Sequence, residues 1–214
     1  MNIIENLATT LKRRDEVPNQ LLAEKIAKSG NSSAVNELIE LLGHKSKDIQ
    51  HDAIKVLYEI GERKPGLITR HFKVFLALLK HRNNRLQWGG MTALASLVDE
   101  NPQGIYSSLP DIISAAESGS VITRDYAMKI LTSLYGKPHY QNDVFPLFIE
   151  QLMRCPANQL PMYAENILPF IATHQATAFM TVLRSRLDDM EKESKRKRVE
   201  KVIRNLEKKD LTLP

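Results

Sequence analysis

The sequence predicts an all-α chain, a right-handed α-α superhelix built from about five to six helical hairpins. Three observations predict it. One helical pattern returns at intervals of 37 residues. Glycine, asparagine, serine and proline fall between its copies. Leu, Ile, Ala, Glu and Lys recur at helical spacing, while alternating β-branched patterning is scarce.

The repeat is clearest in the second helix of each hairpin. Ala53, Gly90, Ala127 and Ala164 fall in one column; Leu57, Leu94, Leu131 and Leu168 in the next; Ile60, Leu97, Leu134 and Ile171 in a third. A small residue followed by large apolar ones four and seven positions later forms one helix face. The small residue admits a neighbouring helix, and the larger two fill the remaining space. The first helix repeats at the same interval, through Leu38, Phe75, Ile112 and Ile149, through Leu42, Leu79, Ala116 and Met153, and through Phe72, Leu109, Pro146 and Leu183. A lone hairpin of this kind cannot bury its apolar face, so the hairpins must stack.

Taken in order, the spacing predicts helices over 2–13, 18–29, 33–43, 47–61, 66–81, 84–99, 103–117, 121–135, 141–154, 158–173, 175–190 and 193–209. Gly30, Gly43, Gly61 and Gly136 stand where left-handed caps would end helices, and Asn31, Ser32, Asn83, Ser118 and Ser120 supply capping oxygens near helix starts. Pro110, Pro146 and Pro169 lie inside helical patterns and should kink or restart them. The expected organisation is a single domain over 1–214. A capping pair occupies 1–30, core repeats 33–173, and longer, more charged capping helices 175–214.

The stretch Asn36-Glu37-Leu38-Ile39-Glu40-Leu41-Leu42, followed by Asp48-Ile49-Gln50-His51-Asp52-Ala53-Ile54-Lys55-Val56-Leu57, resembles a HEAT unit. That family carries an aliphatic residue, often followed by arginine, shortly before its small residue. Ile49-Gln50, Leu86-Gln87 and Thr123-Arg124 hold that place here, so only the third keeps the arginine. Pro110 and Pro146 resemble the proline of many HEAT first helices. The resemblance covers roughly 33–173, and it implies an armadillo-type scaffold, adaptor or assembly factor, with nucleic-acid binding in a minority of members. One HEAT-like group consists of DNA glycosylases. Asp125 beside Trp88 and Tyr126 is the one set here that such chemistry would draw on, and no matching catalytic constellation carries over.

The net charge is +5, concentrated near one end. Residues 184–214 hold eleven Lys/Arg against seven Asp/Glu, leaving nineteen against eighteen for the rest. A protein-wide affinity for polyanions is therefore not implied. The single cysteine, Cys155, rules out an internal disulfide or multi-cysteine metal site, and points to a buried thiol and a reducing, cytoplasmic location. No apolar stretch has the length of a membrane span. There is no phosphate-cradling glycine loop, metal-ligand spacing or nucleophile elbow, so no catalytic residue, metal or cofactor is expected.

The expected function is a non-catalytic scaffold that binds a protein or peptide on the concave face lined by second helices. Its columns there read His51, Trp88, Asp125, Met162, then Asp52, Gly89, Tyr126, Tyr163, then Lys55, Thr92, Lys129, Asn166. Trp88, Tyr126 and Tyr163 would form an aromatic stripe with Lys55, Arg124 and Lys129 nearby. Such rings give large contact area at low entropy cost. Gly89 would let a ligand approach the backbone. The alternative is nucleic-acid binding through two basic turns, Lys45 and Lys47 in one and Lys80, Arg82 and Arg85 in the next, together with the C-terminal run Lys195-Arg196-Lys197-Arg198.

Overall fold

The computed structural model describes residues 2–210, so the parts of the expected domain and of its C-terminal cap that fall on Met1 and on 211–214 lie outside the described residues. Among the described residues the chain forms α-helices joined by turns and short 3-10 segments, with no strand. It divides into two compact units at Ile130–Leu131.

In the first unit the helices are α1 (Val17–Ser29), α2 (Ser32–Leu41), α3 (Lys47–Arg63), α4 (Phe72–Leu78), α5 (Asn84–Ser96), α6 (Pro102–Ser107), α7 (Leu109–Ser118) and most of α8 (Val121–Tyr135). Helix α3 packs on α1, α2 and α5, and α4 packs on α5. The small and large columns meet in these contacts: Ala53, Leu57, Ile60, Leu94 and Leu97 are wholly buried, as are Leu38, Phe75 and Ile112 from the first helices. Three of the expected caps form, while Ser118 ends α7 and its Oγ donates back to the Ser114 carbonyl at 2.9 Å. Asn31 Oδ1 accepts from the Ala34 amide at 3.0 Å, Asn83 Oδ1 from Arg85 at 3.0 Å, and Ser120 Oγ from Thr123 at 3.2 Å. Turn histidines repeat too, with His44 Nδ1 accepting from the Ser46 amide and His81 Nδ1 from that of Asn83, each at 3.0 Å.

The glycines do less as caps than their positions suggest. Only Gly30, among those four, has a left-handed backbone, with φ 67° at the end of α1. Gly61 lies inside α3, where a β-carbon would overlap the Ser96 hydroxyl and sit 2.7 Å from Ile68. Gly89 likewise faces Ile54 of α3, which a β-carbon would overlap. Its role is close helix packing, and the expected approach of a ligand to its backbone has no room.

The predicted helix over 2–13 is absent. The segment forms a 3-10 turn at Ile4–Asn6 followed by turns, because side chains from later helices take its amides. Glu37 accepts from Ile3 N–H at 3.2 Å, Asn19 from Ala8 at 3.0 Å and Asp52 from Thr9 at 2.7 Å. Asn2, Asn6, Thr9 and Thr10 are weak helix formers that yield easily to such partners. The predicted helix over 66–81 is likewise broken into 3-10 turns and α4, and that over 103–117 restarts at Leu109–Pro110 as α7.

The second unit holds the end of α8 with α9 (Gln141–Arg154), α10 (Leu160–Ile167), α11 (Thr173–Ser185) and α12 (Glu193–Asp210). Helix α9 packs on α10 and α11, and α12 on both α10 and α11. Here the first-helix column slips by one residue. Phe148 and Leu152 are fully buried, while Met153 is 55% exposed and Pro146 exposed. Pro169 ends α10 at Ile167, where a 3-10 turn takes over. The end of α9 is closed by Arg186, which donates to the Leu152 and Met153 carbonyls at 2.8 Å and to that of Cys155 at 3.0 Å. The Cys155 thiol is buried. Tyr135 ties α8 to α11, donating to Gln175 at 2.6 Å and accepting from the Ala172 amide at 3.0 Å.

Candidate functional site

The second helices of the first unit, α3, α5 and α8, carry a connected set of aromatic and charged side chains. Lys55 stands at its centre, nearly buried, with Glu59 at 2.7 Å one turn along α3 and Glu16 at 2.9 Å from the loop before α1. Arg63 pairs with Glu59 and Arg85 with Glu16, so the chain Arg63–Glu59–Lys55–Glu16–Arg85 joins the Glu16 loop, α3 and α5. Burial opposes the Lys55 charge, yet hydrogen bonds to Glu59, Tyr58 and Glu16 outweigh it and push its pKa up. Burial also works against the Glu59 carboxylate, and its bonds from Lys55 and Arg63 nonetheless hold it below the usual carboxylate range. Desolvation pushes the Tyr58 phenol up to about 12.

Aromatic rings lie along this network. The Lys55 ammonium sits 4.9 Å from the Tyr58 ring centre, Tyr58 lies 5.7 Å from Trp88, and the Arg85 guanidinium 6.0 Å from Trp88. On α8, Tyr126 carries the Lys129 ammonium 5.6 Å over its ring. Burial raises the Tyr126 pKa. Trp88 and Tyr126 are half-buried. Arg124 is half-buried and Lys129 exposed.

Two expected anchors are corrected. Tyr163, on α10, is 2% exposed and belongs to the core of the second unit. Lys55 is 7% exposed and spent on Glu16 and Glu59. Tyr163 shares its column with Asp52, Gly89 and Tyr126, about 100° further round the helix than His51, Trp88 and Met162. Helix packing buries Asp52, Gly89 and Tyr163, whereas Tyr126 on α8 stays half-buried, as do His51, Trp88 and Met162. Tyr58 and the carboxylates of Glu16 and Glu59 were missed, since nothing in a single column shows that a loop residue reaches across to α3.

The basic turns divide similarly. Lys45, Lys47 and Arg82 are exposed. Lys80 pairs with Asp111 at 2.9 Å and Arg85 with Glu16. On α12, Lys195 donates to Asn158 at 2.9 Å, Arg196 to Glu200 at 3.3 Å and Arg198 to Glu165, while Lys197 pairs with Glu193 at 3.5 Å.

No protein-family model matches the sequence, and no curated protein matches it either. Solved structures do. A designed armadillo repeat protein aligns with a TM-score of 0.57 at 13% identity, over 89% of this chain and 92% of that one. Computationally designed armadillo repeat proteins for modular peptide recognition align with a TM-score of 0.57 at 13% identity, over 88% and 91%. The fold is a HEAT/armadillo-like repeat solenoid. An archaeal HEAT-like repeats protein from Thermococcus onnurineus NA1 aligns less closely, with a TM-score of 0.48 at 14% identity over 91% of this chain. No helix among the described residues is long and apolar enough to cross a membrane.

Proposed function

We propose that the chain is a non-catalytic cytoplasmic scaffold that binds an extended peptide segment of a partner along α3, α5 and α8 of the first unit. The observation that carries this is the pair of half-buried rings, Trp88 and Tyr126, on successive second helices, backed by a charge network that leaves the underlying carboxylates paired. Half-exposed rings held by packing contribute contact area without a large ordering cost, and a tryptophan or tyrosine is a common centre of binding energy. Arg124 and Lys129 flank the rings and favour a peptide with acidic residues near its anchor positions. The similarity to repeat proteins designed for peptide recognition supports the same reading at the level of fold.

Nucleic-acid binding has weaker support. Lys80, Arg85, Arg196, Lys197 and Arg198 already meet carboxylates, and releasing them would offset part of the gain from phosphate contacts.

The test is selection of peptides from a random display library against the full chain, with counter-selection on a Trp88→Ala/Tyr126→Ala variant. The proposal expects peptides that bind the wild type and fail on the variant. A selection whose peptides all bind both equally would place recognition elsewhere.

A further inference from the structure

The segment before α1 has a second role, beside the aromatic face with which it shares Glu16 and Arg85. Together with the first turns of α3 and α5 it lines an open polar cavity of about 450 Å3 within the first unit. Of its acidic lining, Asp15, Glu16 and Asp52 are answered and Asp48 is exposed. Asp52 accepts from the Thr9 amide and from Asn19 Nδ2, both at 2.7 Å, Asp15 pairs with Arg13 at 2.7 Å, and Glu16 pairs with Lys55 and Arg85.

Its cationic lining is answered only in part, through Arg13 on Asp15 and Arg85 on Glu16. Lys12 and Arg14 line the cavity, are exposed, and form no ion pair among the described residues. Arg85, on the opposite wall, spends its terminal nitrogen on Glu16, while its Nε is buried without any acceptor, the one such side-chain atom among the described residues. A buried donor in that condition carries a desolvation cost that an incoming oxygen would relieve. Lys12 is also the one non-glycine residue in the described chain with a left-handed backbone, at φ 55°. The Lys12 amide donates to the Thr9 carbonyl at 3.1 Å in this turn, and its side chain lines the cavity.

We infer that this cavity binds a phosphate monoester. Lys12 and Arg14 line the cavity from the N-terminal segment and Arg85 lines it from α5, a set of cations that suits a group with about two negative charges. The volume has room for the phosphate and the first atoms that bear it. The bearer is either a phosphorylated side chain of a polypeptide or a small phosphorylated metabolite.

The experiment is an amide and arginine-side-chain NMR titration of the full chain with inorganic phosphate, with O-phosphoserine, and with a phosphoserine peptide beside its unphosphorylated form. The expected result is saturable shifts confined to 8–16, to the start of α3 and to Arg85. Lys12→Gly removes the ammonium while suiting the left-handed backbone, so it keeps the fold. It should weaken binding about tenfold, the loss of one charge-assisted contact, and Arg14→Gln should do likewise. Tighter binding of the phosphopeptide than of O-phosphoserine would assign the bearer to a modified polypeptide; equal binding would assign it to a small molecule. Non-saturating shifts would overturn the inference, as would affinity that Lys12→Gly and Arg14→Gln leave intact or that falls instead with Lys45→Gln and Lys47→Gln.

Discussion

Asp52 is the residue through which the non-helical N-terminal segment is held, and replacing it tests that account quantitatively. The side chain is 8% exposed and accepts two hydrogen bonds of 2.7 Å, one from the Thr9 amide and one from Asn19, whose own oxygen holds the Ala8 amide. Asp52→Ala removes both acceptor oxygens and strands two donors, one of them fully buried. Hydrogen bonds to a charged acceptor contribute about 1.5–3 kcal/mol each, and the half-exposed Thr9 amide recovers part of its loss from water, so the cost should be about 3–5 kcal/mol. Urea denaturation gives the total, and native-state hydrogen exchange shows where it falls. Protection at Ala8 and Thr9 should collapse while that of α5 changes little. Asn19→Ala should be coupled to Asp52→Ala by about 1 kcal/mol or more in a double-mutant cycle. A change within about 0.5 kcal/mol, with Thr9 still protected, would refute this account of the segment.

Four further outcomes are expected. Gly90→Ala would put a β-carbon 2.8 Å from that of Leu78 and 3.0 Å from the Phe75 carbonyl, so α4 must shift. The overpacking cost of about 1–3 kcal/mol exceeds the gain of about 1 kcal/mol in helix propensity, and the thermal midpoint should fall. Glu59 titrates below its unfolded value, so its contribution is complete above about pH 5 and is lost as pH falls through the folded value, and Glu59→Gln should flatten that acid limb of the urea midpoint. Tyr58 is raised, so its contribution is complete below about pH 10 and is lost as pH rises through about 12; a difference titration of phenolate absorbance against Tyr58→Phe reads this directly. Removal of residues 191–214 takes away Val199, Val202, Ile203 and Leu206, all buried against α10 and α11, and the shortened chain should bind a hydrophobic dye and self-associate in light scattering.

Most of the helical framework was legible because its signal is periodic and local. Ala53, Leu57 and Ile60 return every 37 residues, and each such position in α3, α5 and α8 is buried as the spacing requires. What failed was non-local. Nothing in residues 2–13 announces that Asn19, Glu37 and Asp52 will take their amides, so an apolar pattern there passed for a helix. The slip in α9 has the same character, since one residue fewer before Phe148 resets the column without changing its composition. At the candidate face, Trp88 and Tyr126 are half-buried, but Tyr163 and Lys55 are buried. Tyr126 and Tyr163 share one repeat column, so their different burial comes from the neighbours each helix meets, and the Glu16 carboxylate that claims Lys55 comes from 39 positions earlier.

Trp88 is the only tryptophan in the chain, so the proposed face carries its own reporter. The most direct measurement is a titration of a selected peptide into the full chain, following Trp88 emission alongside calorimetry. The account predicts a blue shift that saturates at the calorimetric affinity, and binding at least about thirtyfold weaker in Tyr126→Ala, the effect of losing a central anchor. Calorimetric binding with Trp88 emission unchanged, and with Tyr126→Ala as tight as the wild type, would contradict it.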